Sequence, residues 1–403
     1  MENCINIYHT EEFDMMSCVP ASGRKCWKSL NSRQIIGAKT KIMNFKNKIL
    51  SLLLTAASSV MLTGCYTDFE PKLESTPVVC INSKIIAGDT IKAEVTRTWR
   101  YSEGNPNADG YLDIWLDDAE VSLYVNGCFQ EKMDYVEVSH GNHYMASLID
   151  KYFKAEYIPK VGDEIKIVAS DKTYGEAYAE VTIPPVVDII DVDYQIQDYN
   201  KRYEEIYNRL YYTIDMRLEV KFKDPADAVN FYLFNVMAKR MNYDPSPGYN
   251  HNERESILID ADYEYEPIFS EHITPIETVI SDALGLYTMF SDKQISGREY
   301  SLSIPVTVSY TVYDYIDRES GAINKFDSEH GIISSLSHIS TSYYNYMLSL
   351  WTATEGVQGA LGDVGLGDAV FEFSNVSTHA GIVTAESYSD FEIFIKDILD
   401  RIE

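Results

Sequence analysis

Apolar and polar residues alternate with a period of two along much of this chain, and that alternation predicts strands. Residues 90–98 set Ile91, Ala93 and Val95 against Lys92, Glu94 and Thr96, the pattern of a half-buried strand. In residues 119–129, Val121, Leu123 and Val125 line one face, and Asn126-Gly127 supplies the positive φ angles of a type I′ hairpin turn. Residues 157–167 read as a turn and then a strand; residues 177–183 read as a strand stopped by Pro184-Pro185. Ile214, Met216, Leu218, Val220 and Phe222 alternate without a break until Asp224-Pro225, and residues 230–236 predict the returning neighbour. Further strands are expected at 78–81, 186–192, 300–313 and 369–373, with a helix at 340–351. Residues 242–275, rich in Pro, Asn, Asp and Glu, predict a long surface loop.

One segment departs from the two-residue period. Tyr199, Tyr203, Tyr207 and Tyr211 recur every fourth residue, a spacing that puts the rings along one side of a helix. Either those tyrosines pack a short amphipathic helix onto the sheet, or they form an exposed aromatic platform for a ligand. The expected fold class is therefore mainly β. An N-terminal immunoglobulin-like β-sandwich spans residues 77–185, with Pro184-Pro185 at its end. A second mostly-β domain with one or two short helices spans residues 186–403.

Ahead of the strands lies a different pattern. Lys46 and Lys48 precede an uncharged apolar run from Ile49 to Leu62, too short for the ~20 residues a transmembrane helix needs. The run fits a secretory signal peptide over residues 43–64. It ends in Leu62-Thr63-Gly64-Cys65, a lipobox whose cysteine takes the lipid on its thiol and on its new amino group. Residues 65–76 form a polar tether with no period. Residues 1–42 stand upstream of a complete export signal and read as a mis-assigned start; a genuine cytoplasmic extension is the alternative.

Charge sharpens the picture. The chain carries a net charge of −28. Cleavage before Cys65 removes eight of 34 Lys/Arg and four of 62 acids, which leaves 26 against 58, or −32. Such a chain repels nucleic acid and anionic membrane surfaces, since phosphate binding needs Lys/Arg to release counterions. Acidity that keeps a surface protein soluble is the simpler reading. Cys80 and Cys128 would sit in an oxidising compartment, either as a disulfide or as two separate thiols.

Catalytic patterns are absent: no G-x-S-x-G, H-E-x-x-H, Walker loop or dinucleotide fingerprint occurs, so a non-catalytic protein without a cofactor is expected. His140 and His143 read as a polar hairpin tip. Asn105, Asn107 and Asp109, followed by Gly110, resemble the start of a calcium loop. Asn105 stands where a leading aspartate is usual and Leu116 where a bidentate glutamate belongs, so a solvated acidic loop is favoured and no metal is expected. Asp260, Asp262, Glu264 and Glu266 read as a solvated strand face rather than a glycosidase pair.

Several of these pieces occur together elsewhere. The run Asp118-Ala119-Glu120-Val121-Ser122-Leu123-Tyr124-Val125-Asn126-Gly127 and the strand end Thr182-Ile183-Pro184 are two of them. Phe222-Lys223-Asp224-Pro225 before Asn230-Phe231-Tyr232, and Phe290-Ser291-Asp292 with Gly297, are two more. The helix around Tyr343-Tyr344, and Phe373-Ser374-Asn375-Val376 before Gly381-Ile382, complete the series. In this order they resemble a family of Bacteroidetes lipoproteins, the domain-of-unknown-function family four-two-four-nine. The resemblance covers nearly all of the chain after Cys65. It implies an outer-membrane lipoprotein, with an immunoglobulin-like sandwich and a second β domain, of a kind often encoded beside TonB-dependent transporters. An accessory part in nutrient capture follows, with a peptide or glycan as ligand; a structural or adhesive surface protein is the alternative. Asp68 and Glu70 resemble the acidic signal that sends such lipoproteins to the cell exterior. The family carries over no catalytic residues, and the Tyr199–Tyr211 segment is an insert relative to it.

Overall fold

The computed structural model describes residues 76–99, 114–140, 148–226, 228–241, 254–259, 261–263, 266–270, 288–312, 331–354 and 371–402. Its first strands are β1 (Val79–Ile86), β2 (Lys92–Arg97), β3 (Glu120–Val125) and β4 (Cys128–Lys132). They are followed by β5 (Asp134–His140), β6 (Leu148–Lys154), β7 (Glu164–Asp171) and β8 (Gly175–Thr182). Two long strands come next, β9 (Ile189–Glu204) and β10 (Arg209–Lys223), then β11 (Phe231–Met241), β12 (Arg254–Leu258) and β13 (Met289–Ser291). The chain closes with β14 (Glu299–Val312), β15 (Gly331–Ile339), helix α1 (Thr341–Thr354), β16 (Gly381–Phe394) and helix α2 (Ile395–Ile402). No helix among the described residues is long and apolar enough to cross a membrane.

These strands make three sheets. The largest runs β12-β11-β15-β16-β1-β2-β6-β5, with β13 also on β11; the others run β4-β3-β7-β8 and β14-β10-β9. One face of the large sheet carries both small ones. Val79, Ile81 and Ile85 of β1, with Val383 and Ala385 of β16, share a core with Val121, Leu123, Ile165 and Ile167. Further along the same face, Tyr232, Phe234, Leu336 and Ile393 share a second core with Leu218, Val220, Leu302 and Ile304. The opposite face carries α1, whose Tyr344 stacks on Phe231 at 4.2 Å. The mainly β class read from the alternation is what the chain adopts, and its first part is consistent with an immunoglobulin-like sandwich.

The central feature of the large sheet is the parallel pairing of β1 with β16, from Ile81↔Gly381 to Ile86↔Glu386. The sheet therefore contains chain from both sides of Pro184-Pro185. The expected hairpin at Asn126-Gly127 is present: Asn126 and Gly127 have φ of 52° and 76°, and Val125 pairs with Cys128.

Three expectations are corrected. Residues 198–212 are not helical; they are the far half of the β9–β10 hairpin, with Tyr199↔Ile214 and Tyr203↔Leu210 in register. The strict alternation of Leu210, Tyr212 and Ile214, all buried, sets β10 as a strand and imposes the strand state on its polar neighbour. A four-residue spacing is also two strand periods, which is why the tyrosines misled. Of the strand expected at 369–373, residues 369–370 lie outside the described residues and 371–373 form no strand; the Phe373 N–H donates to Ser349 Oγ of α1 instead of to a neighbouring strand. Residues 242–275 are not all loop: they contain β12 and a 3-10 turn, Pro267–Ser270.

Candidate functional site

The three-stranded sheet places β9 at its edge. Every residue of β9 from Gln197 to Tyr203 is exposed, whereas the β10 residues opposite alternate between buried and half-buried or exposed. Register puts Tyr199, Lys201 and Tyr203 on one face, and Arg202 with Tyr211 on the other. Tyr199 is 48% exposed, Tyr203 41%, Tyr207 58% and Ile206 at the turn 82%. Three cations lie over tyrosine rings: Lys201 5.3 Å from Tyr212, Arg202 5.1 Å from Tyr211 and Arg209 5.6 Å from Tyr207. Each such contact on a surface is worth about 0.5–1 kcal/mol and holds ring and cation in a set geometry. At the turn, the Tyr203 hydroxyl donates to Asn208 Oδ1 at 3.2 Å.

Two N–H groups of β9 are taken up by side chains of the strand itself. The N–H of Tyr194 donates to Asp193 Oδ1 and that of Tyr199 to Asp198 Oδ1, each at 2.8 Å. Carboxylates that occupy edge N–H groups and charge the edge are a device against strand addition.

A second cluster is buried. Asp224, at the end of β10, is 1% exposed and accepts from three sides. Tyr232 O–H and Asn230 Nδ2 donate to its Oδ1, and Gly297 N–H donates to its Oδ2 at 2.8 Å. Asn230 Nδ2 also donates to the Pro225 and Ala228 carbonyls, and Asp292 N–H donates back to the Asn230 carbonyl at 3.0 Å. Burial, reinforced by the hydrogen bond to Asp224, pushes the Tyr232 phenol far above the usual tyrosine range. Gly297 has φ +70°, and a Cβ there would stand 3.0 Å from Ala226 Cβ.

A third set ties the chain's last part to its first. Asn375 is bonded to both the N–H and the carbonyl of Val383 and reaches the Glu180 carbonyl on β8. Ser377 and Tyr178 exchange two hydrogen bonds, Ser377 N–H to the Tyr178 carbonyl and Tyr178 N–H to Ser377 Oγ. Thr378 Oγ1 donates to the Val79 carbonyl at 2.7 Å.

Asp224, Asn230, Tyr232, Asp292, Gly297 and Asn375 of these sets are among the residues on which the family resemblance rests, and the family model described as Domain of unknown function (DUF4249) matches residues 66–387. The chain belongs to this family. No curated protein matches it. In this member of DUF4249, the Asp224 and Asn375 positions lock turns and sheets together, each side chain finding hydrogen-bond partners within the fold. They are scaffold chemistry. The exposed tyrosine hairpin has the accessible groups.

The remaining candidates fall as follows. Leu62, Thr63, Gly64, Cys65, Asp68 and Glu70 lie outside the described residues, as do Asn105, Asn107, Asp109 and His143. No group of three or more His, Cys, Asp or Glu suited to a metal occurs among the described residues. Cys80 is buried on β1 and Cys128 exposed on β4, in different sheets and in no disulfide. Of the acidic run, Asp262 is half-buried and Glu266 buried, not a solvated face; Glu266 accepts from Tyr300 O–H and Ser303 N–H and fastens a segment over β14.

Two arrangements were not foreseen. Ser387 and His338 stand opposite each other on β16 and β15, 1% and 5% exposed. His338 Nδ1 donates to the Pro185 carbonyl at 2.8 Å, and burial holds the imidazole below its usual range. The pair is packed inside the core, 5.3 Å from the Tyr232 ring, and functions there as a contact between layers. Glu94 on β2 is pushed up to about 7, by burial first and then by the charge of Asp150 on β6. Neither could be read from spacing, because both depend on which strands become neighbours.

Proposed function

We propose that this member of DUF4249 is a lipid-anchored outer-membrane protein, facing the cell exterior, that serves a TonB-dependent transporter as a non-catalytic binding module in nutrient uptake. The observation that carries the reading is the face made by Tyr199, Lys201 and Tyr203, three exposed side chains in register with the buried Ile214, Tyr212 and Leu210 of β10. Aromatic groups held on a rigid element bind ligands at small entropic cost. The anchor rests on Leu62-Thr63-Gly64-Cys65 behind an uncharged run, and the outward address on Asp68 and Glu70. The transporter rests on the company that the lipoproteins it resembles keep.

The adhesive alternative needs an open strand edge. At the β9 edge it is opposed by Asp193 and Asp198, which take the N–H groups of Tyr194 and Tyr199. The deciding experiment is affinity capture of the tagged protein from detergent-solubilised outer membranes, with mass spectrometry of what accompanies it. A TonB-dependent transporter in near-equal amount is the expected result. A protein recovered alone would overturn the accessory role.

A further inference from the structure

The tip of the β9–β10 hairpin is less acidic than the stretch of β9 that leads into it. Ahead of Tyr199, β9 carries Asp191, Asp193 and Asp198, and the whole chain stands at −28. Between residues 199 and 211, Lys201, Arg202 and Arg209 outnumber Glu204 and Glu205. A positive group in so negative a chain is a local exception, and it marks where an anionic group is tolerated. Lys201 stands between two exposed rings on one face of the strand, with Tyr199 and Tyr203 about 13 Å apart at ~3.3 Å per residue.

The chemistry of that face selects its ligand. An extended peptide adding to β9 would need the edge N–H groups of Tyr194 and Tyr199, and aspartates hold both. A polyanion such as nucleic acid would need a run of cations, and it meets the acidic half of β9 directly beside the tip. Two aromatic faces flanking one ammonium instead suit a chain of sugar rings that carries an occasional negative charge. The rings cover the apolar C–H faces of the sugars, and the ammonium takes the charge. Resting on the binding-module reading, we propose that the Tyr199–Lys201–Tyr203 face binds an extended anionic glycan. Its sugar rings lie on Tyr199 and Tyr203, and its anionic group lies on Lys201.

The test is calorimetric titration of the full-length protein in detergent with an oligogalacturonate methyl-esterified at most of its carboxyls, so that only an occasional ring is charged, with its carboxyl-reduced neutral counterpart, and with an oligoglutamate peptide. The oligogalacturonate is expected to bind, and its affinity to fall as salt rises from about 50 to about 500 mM. Lys201→Glu and the double variant Tyr199→Ala/Tyr203→Ala should each weaken it at least about tenfold. Tyr178→Ala, on the outer face of the four-stranded sheet, should not. Lys201→Glu loses the contact with the Tyr212 ring and Tyr203→Ala the hydrogen bond to Asn208, so titrations are run well below the melting temperature of each variant, where all remain folded. No binding of the oligogalacturonate, equal binding of the neutral counterpart, tighter binding of the oligoglutamate, or indifference to Lys201→Glu would each overturn the proposal. Transporter capture is independent of these titrations: a protein that captures the transporter yet ignores the oligogalacturonate keeps its accessory role and loses only this ligand class.

Discussion

Gly381 lies so close to Ile81 that a Cβ on it would stand 2.2 Å from the Ile81 carbonyl oxygen. Its φ of +89° adds a second reason for glycine. This contact opens the parallel ladder between β1 and β16, so a side chain there would push the two strands apart. Gly381→Ala is expected to cost about 3 kcal/mol or more, from strain and lost strand pairing together. Urea unfolding measures it; a loss within about 1 kcal/mol would mean the strands can shift to make room.

Asp224 should behave as the keystone of its turn. In Asp224→Ala the Tyr232 hydroxyl, the Asn230 amide and the Gly297 N–H all lose an acceptor in a buried site. The expected cost is about 3 kcal/mol or more, whereas Tyr232→Phe, which deletes one donor, should cost about 1–2 kcal/mol. Equal effects of the two substitutions in chemical denaturation would contradict this ranking.

Glu94 predicts a pH dependence. Its carboxyl is raised from 4.5 to about 7 in the folded chain, so between those values the folded state holds more protons than the unfolded one. Stability from this group is therefore complete below about 4.5 and is lost as pH rises to about 7, by roughly 3 kcal/mol at most. Glu94→Gln should remove that slope. Urea midpoints for both proteins at about pH 5 and about pH 7.5 decide it: parallel behaviour would show that Glu94 titrates normally.

The two strand cysteines should differ sharply toward a maleimide. Cys128 is exposed and Cys80 is 2% exposed, so peptide mass spectrometry should find Cys128 modified in the folded protein and Cys80 only after unfolding. Modification of neither, reversed by a reductant, would instead indicate a bridge.

Anchoring has its own assay. Cys65→Ala is expected to abolish membrane association, read by fractionation and immunoblotting. A variant still found wholly in the outer-membrane fraction would remove the lipoprotein reading.

Much of this fold was legible where a strand has one wet face. Val121, Leu123 and Val125 with Asn126-Gly127, and Ile214 to Phe222, alternate because β3 and β10 each bury one side only. The strands that escaped notice lack that contrast. β15 buries both faces and is rich in serine, and the first half of β16 is a continuous buried run. β9 failed in the opposite way, since its far half is exposed on both faces and shows no period at all. At the candidate site the tyrosines were visible but their arrangement was not: Tyr211 sits across the strand from Tyr199 and Tyr203, and Lys201 joins them only once the segment is extended. The Asp224 cluster was visible as Asp224-Pro225 ending a strand, but its burial depends on Gly297, 73 residues on.

The position of β1 also has a mechanical meaning. The chain that leads in from residue 76 enters β1, an inner strand bonded on both sides, parallel to β16 and antiparallel to β2. A pull on the segment ahead of Val79 acts along the strand, so the ladder bonds on both flanks are loaded together in shear rather than peeled one by one. Asn82 and Thr378 add side-chain ties to the same strand. A protein held by its leading segment would thus carry load through an inner strand that is paired on both flanks.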